Sequence, residues 1–86
     1  MNGGPTQKAQ GNVARVNFDG QGPNSGTLEI HLEPVHMSFE VFMDTPRKKY
    51  LEIFEIACSA MWDSKMVEIT YCVRQGDNIA SEIRAL

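Results

Sequence analysis

The chain has 86 residues, a formal net charge of −3 and 42% hydrophobic residues. That length fits one domain. Such a domain buries only about 60–65% of its surface, so association with further chains would add stability. The acidic balance argues against general nucleic-acid binding and against attraction to an anionic membrane. No apolar run in the sequence is long enough to span a bilayer.

The first segment, residues 1–11, reads MNGGPTQKAQG and is polar and glycine-rich. We predict a disordered leader there and a single domain over residues 12–86. The segment has no signal-peptide core, so either the protein stays in the cytoplasm or a leader has been removed. The two cysteines, Cys58 and Cys72, could form a disulfide, but we favour free thiols, because neither CxxC nor metal-finger spacing is present.

Three strands are predicted before the helix from alternating apolar residues. Strand one covers about Val13 to Asp19, with Ala14, Val16 and Phe18 on one face. A turn or loop, GQGPNSG, follows at residues 20–26. Strand two runs from Thr27 to Glu33, where Pro34 ends it, and its inward residues are Leu28, Ile30 and Leu32. Strand three runs from Met37 to Met43, and its inward residues are Met37, Phe39, Val41 and Met43.

The segment from Asp44 to Lys65, DTPRKKYLEIFEIACSAMWDSK, predicts the one helix. Asp44 or Thr45 is placed to cap its first turn, and Pro46 fits the first helical position. At about 100° per residue, four residues fall on one line that we expect to face the sheet, namely Tyr50, Phe54, Ala57 and Met61.

The apolar arc of this helix is wider than a surface helix needs. Residues on both sides of the central line extend it to roughly 240°, against about 100° for one buried face. The helix is therefore either deeply buried in its own core or part of a subunit interface. We favour the interface, because so short a chain does not easily bury a helix on three sides. The predicted interface consists of Leu51, Ile53, Ile56, Ala60 and Trp62, with Phe42 pointing outward from strand three.

Three consecutive cations, Arg47, Lys48 and Lys49, occupy the first turn of the helix. The helix dipole is positive at this end, so the cations cost a few tenths of a kcal/mol each. We favour a solvated cluster that pairs with Glu52 or with a neighbouring chain. An anion-binding site is the alternative.

Two strands complete the chain, Met66 to Val73 and Asn78 to Leu86, and a hairpin is predicted at RQGD between them. On the fourth strand, one face is predicted to carry Val67, Ile69, Tyr71 and Val73, and on the fifth strand one face carries Ile79, Ile83 and Ala85. The class is mainly β with one helix. The alternation indicates an antiparallel sheet, and the order β-β-β-α-β-β is the plan of a five-stranded OB-fold barrel.

The order of the strands and the helix, together with the four segments given below, resembles the OB-fold B subunits of bacterial toxins of the Shiga and subtilase-cytotoxin type. It is more closely similar to small uncharacterised bacterial proteins on the same plan. The segments are ARVNFD, SFEVFMDTP, KKYLEIFEIACSAMWDSKMVEITY and CVRQGDNIASEIRAL. The resemblance implies rings of five, in which helices line the centre and edge strands pair. Toxin subunits usually bridge the Cys after strand four to a Cys near the N-terminus. Cys72 has no such partner, which weakens the case for secretion.

Candidate chemistry is sparse. Ser38 and Ser59 have no base beside them, and GQGPNSG lacks the lysine and helix of a phosphate loop. His31 and Glu33 share a strand face and could form a weak metal pair, but we favour an exposed polar face. We therefore predict no enzyme activity, cofactor or metal.

The expected function is a non-catalytic, self-associating OB-fold module. We favour a pentameric ring, with a protein or glycan ligand that the residues do not specify. The alternative is a monomeric OB domain that binds single-stranded nucleic acid. On strands two and three, however, Glu29, Glu33 and Glu40 would repel phosphates, and Phe42 is the only aromatic residue on that face.

Overall fold

The computed structural model describes residues 5–19, 27–41 and 46–86. Its elements are β1 (Gln7–Asp19), β2 (Thr27–Glu33), β3 (Met37–Val41), α1 (Arg47–Asp63), β4 (Met66–Arg74) and β5 (Asp77–Ala85). The strands close into a barrel in the order β1-β2-β3-β5-β4. This confirms the prediction of a mainly β chain with one helix and a five-stranded barrel.

The sheet is mixed, because β3 and β5 pair in parallel through Glu40 and Ile79. The expectation of a wholly antiparallel sheet is therefore wrong at this pair. Alternating hydrophobicity reports that one face of a strand is buried and carries no information about the direction of its neighbour. The Asn78 side-chain amide donates to the Ser38 carbonyl at 3.1 Å and helps to close this seam.

Strand β1 begins at Gln7, inside the segment predicted to be a disordered leader. Residues 7–12 pair with β4, and residues 12–19 pair with β2. The prediction is corrected for residues 7–11. Their inward positions are Ala9 and Gly11, which are buried but too small to give a hydrophobic signal.

A β-bulge at Ala14 divides the two halves of β1, since the register with β2 shifts between Val13 and Arg15. The extra residue reverses which side chains face inward. Val13 is buried, Ala14 is exposed and Val16 is half-buried, so Ala14 and Val16 do not share one face as predicted. Phe18, predicted on the same face as Ala14 and Val16, is exposed near the end of the strand.

Strand β2 and the hairpin between β4 and β5 agree with the sequence prediction. On β2 the alternation is as predicted, with Leu28, Ile30 and Leu32 buried. The β4–β5 hairpin is confirmed: Gln75 and Gly76 both have positive φ, at 54° and 84°, as a type I′ turn requires. A register shift between Thr70 and Tyr71 places Ala80 opposite Tyr71, where it is buried, and Ala85 is exposed at the end of the strand. The predicted face of β5 is corrected at these two residues. Val73, predicted on the same face of β4 as Tyr71, is likewise exposed. Met43 lies outside the described residues.

The helix begins after Pro46, which is the N-cap residue rather than the first helical one and makes no side-chain capping hydrogen bond. The predicted caps, Asp44 and Thr45, lie outside the described residues. At the other end, Ser64 is left-handed at φ 55°, and the Lys65 N–H donates to the Ala60 carbonyl at 2.9 Å. The Asn12 side chain donates to the Ser64 carbonyl at 3.3 Å and ties this end to β1.

The core fills the barrel, and α1 packs across β1, β4 and β5. Phe39 and Tyr71 meet edge to face, with ring centroids 5.0 Å apart. The largest fully buried side chains are Phe39, Leu28, Ile30, Leu32, Ile53, Ile69, Val41 and Val67.

Gly11 lies where β1 passes from β4 to β2, and a Cβ there would stand 2.8 Å from the Glu33 carbonyl oxygen. We expect Gly11→Ala to lower the free energy of unfolding by roughly 1–3 kcal/mol, as overpacking against backbone does. Urea denaturation measures the change. Thr6→Ala, in the exposed residue just before the strand, is the control and should change little. If Gly11→Ala were as stable as Thr6→Ala, the backbone of β1 at Gly11 would not be closely packed against Glu33.

Candidate functional sites

The exposed side of α1 differs from the predicted one. Ile53, Ala57 and Ala60 face the core, whereas Phe54 and Met61 are 37% and 36% exposed. At about 100° per residue, the helix is turned by about 60° from the predicted orientation. The apolar excess is nevertheless present, and it lies on the surface.

We call the set Leu51, Phe54, Cys58, Met61 and Trp62 the helix stripe. Its first four members are spaced by three, four and three residues, which is the spacing of a seam that packs along another helix. Trp62 flanks the seam and is 87% exposed. The stripe is therefore an apolar surface with the repeat of a helix–helix contact.

The predicted interface residues separate into four groups. Leu51 and Trp62 lie on the helix stripe, whereas Ile53 and Ala60 are buried in the chain's own core. Both are therefore core residues, since Ile53 is 1% and Ala60 4% exposed. Ile56 is half-buried and packs against the core, and Phe42 lies outside the described residues.

A second feature, the helix groove, lies on the other side of α1. It is an open depression of about 310 Å³ lined by Glu55, Ile56, Ser59, Ala60, Asp63, Lys65 and Ala85. Ile56 and Leu51 are five positions apart, so they project about 140° from each other around the helix. The stripe and the groove are thus two different surfaces of one helix.

The three cations at the start of α1 do not converge. Consecutive helical residues project about 100° apart, so Arg47, Lys48 and Lys49 point in different directions. Lys49 Nζ lies 4.0 Å from Glu52 Oε1 and 3.7 Å from Glu82 Oε1. The predicted pairing with Glu52 is present, and the arrangement does not assemble an anion site from the three side chains.

Glu68 is a buried carboxylate on the outer side of β4. Gln10 Nε2 donates to its Oε2 at 2.9 Å, and Arg84 Nε donates to its Oε1 at 3.0 Å. Lys8 Nζ lies 3.9 Å from Oε1. The Gln10 hydrogen bond, followed by the hydrogen bond and charge of Arg84 and the charge of Lys8, lowers the pKa of Glu68 against the opposing effect of burial. The cluster joins β1, β4 and β5, so we assign it a structural role.

The outer face of β2 and β3 is acidic. Glu29 and Glu40 are cross-strand partners, and the pKa of Glu40 is raised by burial and then by the charges of Asp77 and Glu29. Negative charge concentrated in this way disfavours phosphate binding.

The β2–β3 turn gathers a further group that sequence reasoning only partly found. His31 Nε2 lies 3.5 Å from Glu33 Oε2, and His36 Nδ1 lies 2.7 Å from Glu33 Oε1. The shared face of His31 and Glu33 indicated the first pair. His36 was missed because it lies in the turn, where strand periodicity gives no direction. A histidine three residues beyond Glu33, across Pro34, was the available signal.

Comparisons with known proteins add no assignment. No model of a known protein family matches the chain, and no curated protein matches it. Among the described residues, no helix is both long and apolar enough to cross a membrane. Both cysteines are free thiols, as predicted, and burial raises the pKa of Cys58, which makes that thiol less reactive at neutral pH.

The lowered pKa of Glu68 gives a prediction with a defined sign. Its carboxylate stabilises the fold above the ordinary glutamate pKa of 4.5, and this contribution is lost as the pH falls through the lower native pKa. We expect Glu68→Gln to be less stable than the native chain at neutral pH and the difference to shrink as the pH falls below 4.5.

Urea denaturation at several pH values measures this difference directly. Glu82→Gln, at an exposed carboxylate on the neighbouring strand, is the control and should change little, because exposed ion pairs contribute about 0–1 kcal/mol. A stability loss for Glu68→Gln that stays constant down to acid pH would contradict the assignment.

Proposed function

We propose that this chain is a non-catalytic binding and assembly module that associates with copies of itself through α1. The observation that carries the proposal is the helix stripe, whose apolar side chains are exposed with the spacing of a helix–helix seam. A chain of 86 residues gains stability by covering such a surface.

The proposed assembly is a ring. The stripe and the helix groove are different surfaces, and a contact between two different surfaces of identical chains generates a closed ring or an open filament. The toxin-subunit resemblance favours a ring of five with helices at its centre. The barrel order, with its single parallel β3–β5 pair, supports assigning the barrel to the OB-fold type. The ligand of such a ring would be a protein or a glycan.

Leu51→Glu tests the stripe. We expect the native chain to elute as an assembly of several copies and the variant to be a monomer, because a buried, unpaired carboxylate costs several kcal/mol. Light scattering behind a sizing column, at two protein concentrations, measures the mass. Val35→Glu is a matched control, since Val35 and Leu51 are both 43% exposed and Val35 lies in the β2–β3 turn. A monomeric native chain would overturn the proposal.

A second variant distinguishes a ring from a two-fold dimer. Ser59→Arg fills the groove from an exposed position without touching the core. In a ring, Ser59→Arg and Leu51→Glu each disrupt assembly, and their mixture forms a dimer because one stripe and one groove remain intact. In a two-fold dimer that uses only the stripe, Ser59→Arg leaves the mass unchanged.

The alternative, a monomeric domain that binds single-stranded nucleic acid, is disfavoured by the charge of Glu29, Glu40 and Asp77 on the β2–β3 side. We expect no binding of oligo-dT even at low salt, where phosphate contacts are strongest. Fluorescence anisotropy of a labelled oligonucleotide checks this. Salt-dependent binding by a monomer would replace the assembly proposal with the nucleic-acid one.

A further inference from the structure

We propose that His31, Glu33 and His36 bind one divalent transition-metal ion, such as Zn²⁺, at the β2–β3 turn. Each residue offers one ligand atom, and the three atoms lie within 4.8 Å of one another. None of the three residues belongs to the helix stripe or lines the helix groove, so the metal proposal rests on different residues from the proposed assembly.

The distances fit ligands of a common ion. Two ligands bound to Zn²⁺ at about 2.1 Å lie about 3.0–3.5 Å apart. The 3.5 Å from His31 Nε2 to Glu33 Oε2 is at the upper end of this range, and the 2.7 Å from His36 Nδ1 to Glu33 Oε1 is below it. Small side-chain rotations therefore complete the site.

The two oxygens of the Glu33 carboxylate face different histidines, Oε2 towards His31 and Oε1 towards His36. Its Oε1 is buried from water and has no hydrogen-bond partner among the described residues, although His36 Nδ1 is near. The two atoms form an ion-pair contact at 2.7 Å, and Oε1 has a donor only when Nδ1 carries the ring proton. A buried carboxylate oxygen without a donor is costly, and an ion held between Oε1 and Nδ1 would satisfy it.

His31 is held by a partner of the kind that metal-bound histidines use. Its Nδ1 lies 2.9 Å from Ser38 Oγ on the adjacent strand. When Nδ1 carries the proton and donates it to Ser38, Nε2 presents its lone pair towards Glu33. A hydrogen bond to the second ring nitrogen is the usual way in which a ligating histidine is oriented.

The backbone explains why the three residues meet. His31 and Glu33 are two apart on β2 and share its outer face. His36 has a left-handed backbone, with φ at 54°, and this conformation returns it towards Glu33. Arg15 lies opposite His31 on β1, and its positive charge opposes the binding of a cation. The electrostatic attraction for the ion must therefore come from the Glu33 carboxylate.

The donor set determines the class of ion. Two imidazoles and one carboxylate suit Zn²⁺, Fe²⁺, Ni²⁺ or Cu²⁺ rather than Mg²⁺ or Ca²⁺, which prefer oxygen ligands. Three protein ligands leave a coordination position for water or for an external ligand.

The experiment measures Zn²⁺ affinity by competition with a fluorescent indicator. The untagged chain carries Cys58→Ala and Cys72→Ala, so that thiolates do not contribute. We compare it with the same chain carrying His36→Gly. His36 is 79% exposed and its backbone has positive φ, so glycine removes the imidazole with little effect on folding. We expect binding to weaken by at least about tenfold, a loss that even outer-shell changes around a metal cause.

Two further measurements locate the ion. The ¹⁵N resonances of both imidazoles should shift on addition of Zn²⁺, with His31 bound through Nε2 and His36 through Nδ1. Glu29→Gln, on the same face of β2 but outside the cluster, is the matched control and should change affinity less than Glu33→Gln. Equal affinity of the native and His36→Gly chains, or unchanged imidazole resonances at saturating Zn²⁺, would overturn the proposal.

Discussion

The barrel depends on one strand that serves two neighbours. β1 pairs with β4 through its first half and with β2 through its second half, so it must bend where the partners change. Two local features make the bend possible: Gly11 lets the backbone approach the Glu33 carbonyl, and the bulge at Ala14 shifts the register. Because β4 carries β5, this bend brings the C-terminal hairpin beside the first strands, and Gln10 reaches Glu68 across the junction.

Predictability followed the strength of the local signal. Large alternating side chains identified β2 and one face of β4 up to Tyr71, and the Gln75–Gly76 pair identified the hairpin between the last two strands. The first half of β1 was missed because its inward residues are Ala9 and Gly11, whose burial contributes little hydrophobic pattern. The faces of β1 and β5 were partly wrong for a different reason. A bulge adds one residue to the count, and periodicity contains no term for such an insertion.

For the candidate sites, the sequence revealed the amount of apolar surface and not its position. The apolar arc of α1 was predicted to be wider than one buried face needs, and apolar residues are indeed exposed on the helix. The helix is rotated by about 60° from the predicted orientation, which changes which of its residues are buried and which are exposed. Ile53 and Ala60 are therefore buried where an interface was predicted, and Phe54 and Met61 are exposed where contact with the sheet was predicted. Several registers of a helix on a sheet bury similar apolar area, so packing against the particular barrel decides between them. The His36 contact depends on turn geometry, which strand patterns do not describe.

The pairing of β1 with β4 also governs the order in which the molecule can form. Gln10 and Glu68 are 58 positions apart, and a chain made from its N-terminus exposes the first half of β1 long before β4 exists. That half has small inward side chains and no local partner, so it has little tendency to pair prematurely with another chain. Closure must wait for the last hairpin, and ring closures over such separations make folding slow. Because the first half of β1 is weakly hydrophobic, it can stay unpaired during synthesis with little risk of associating with another chain.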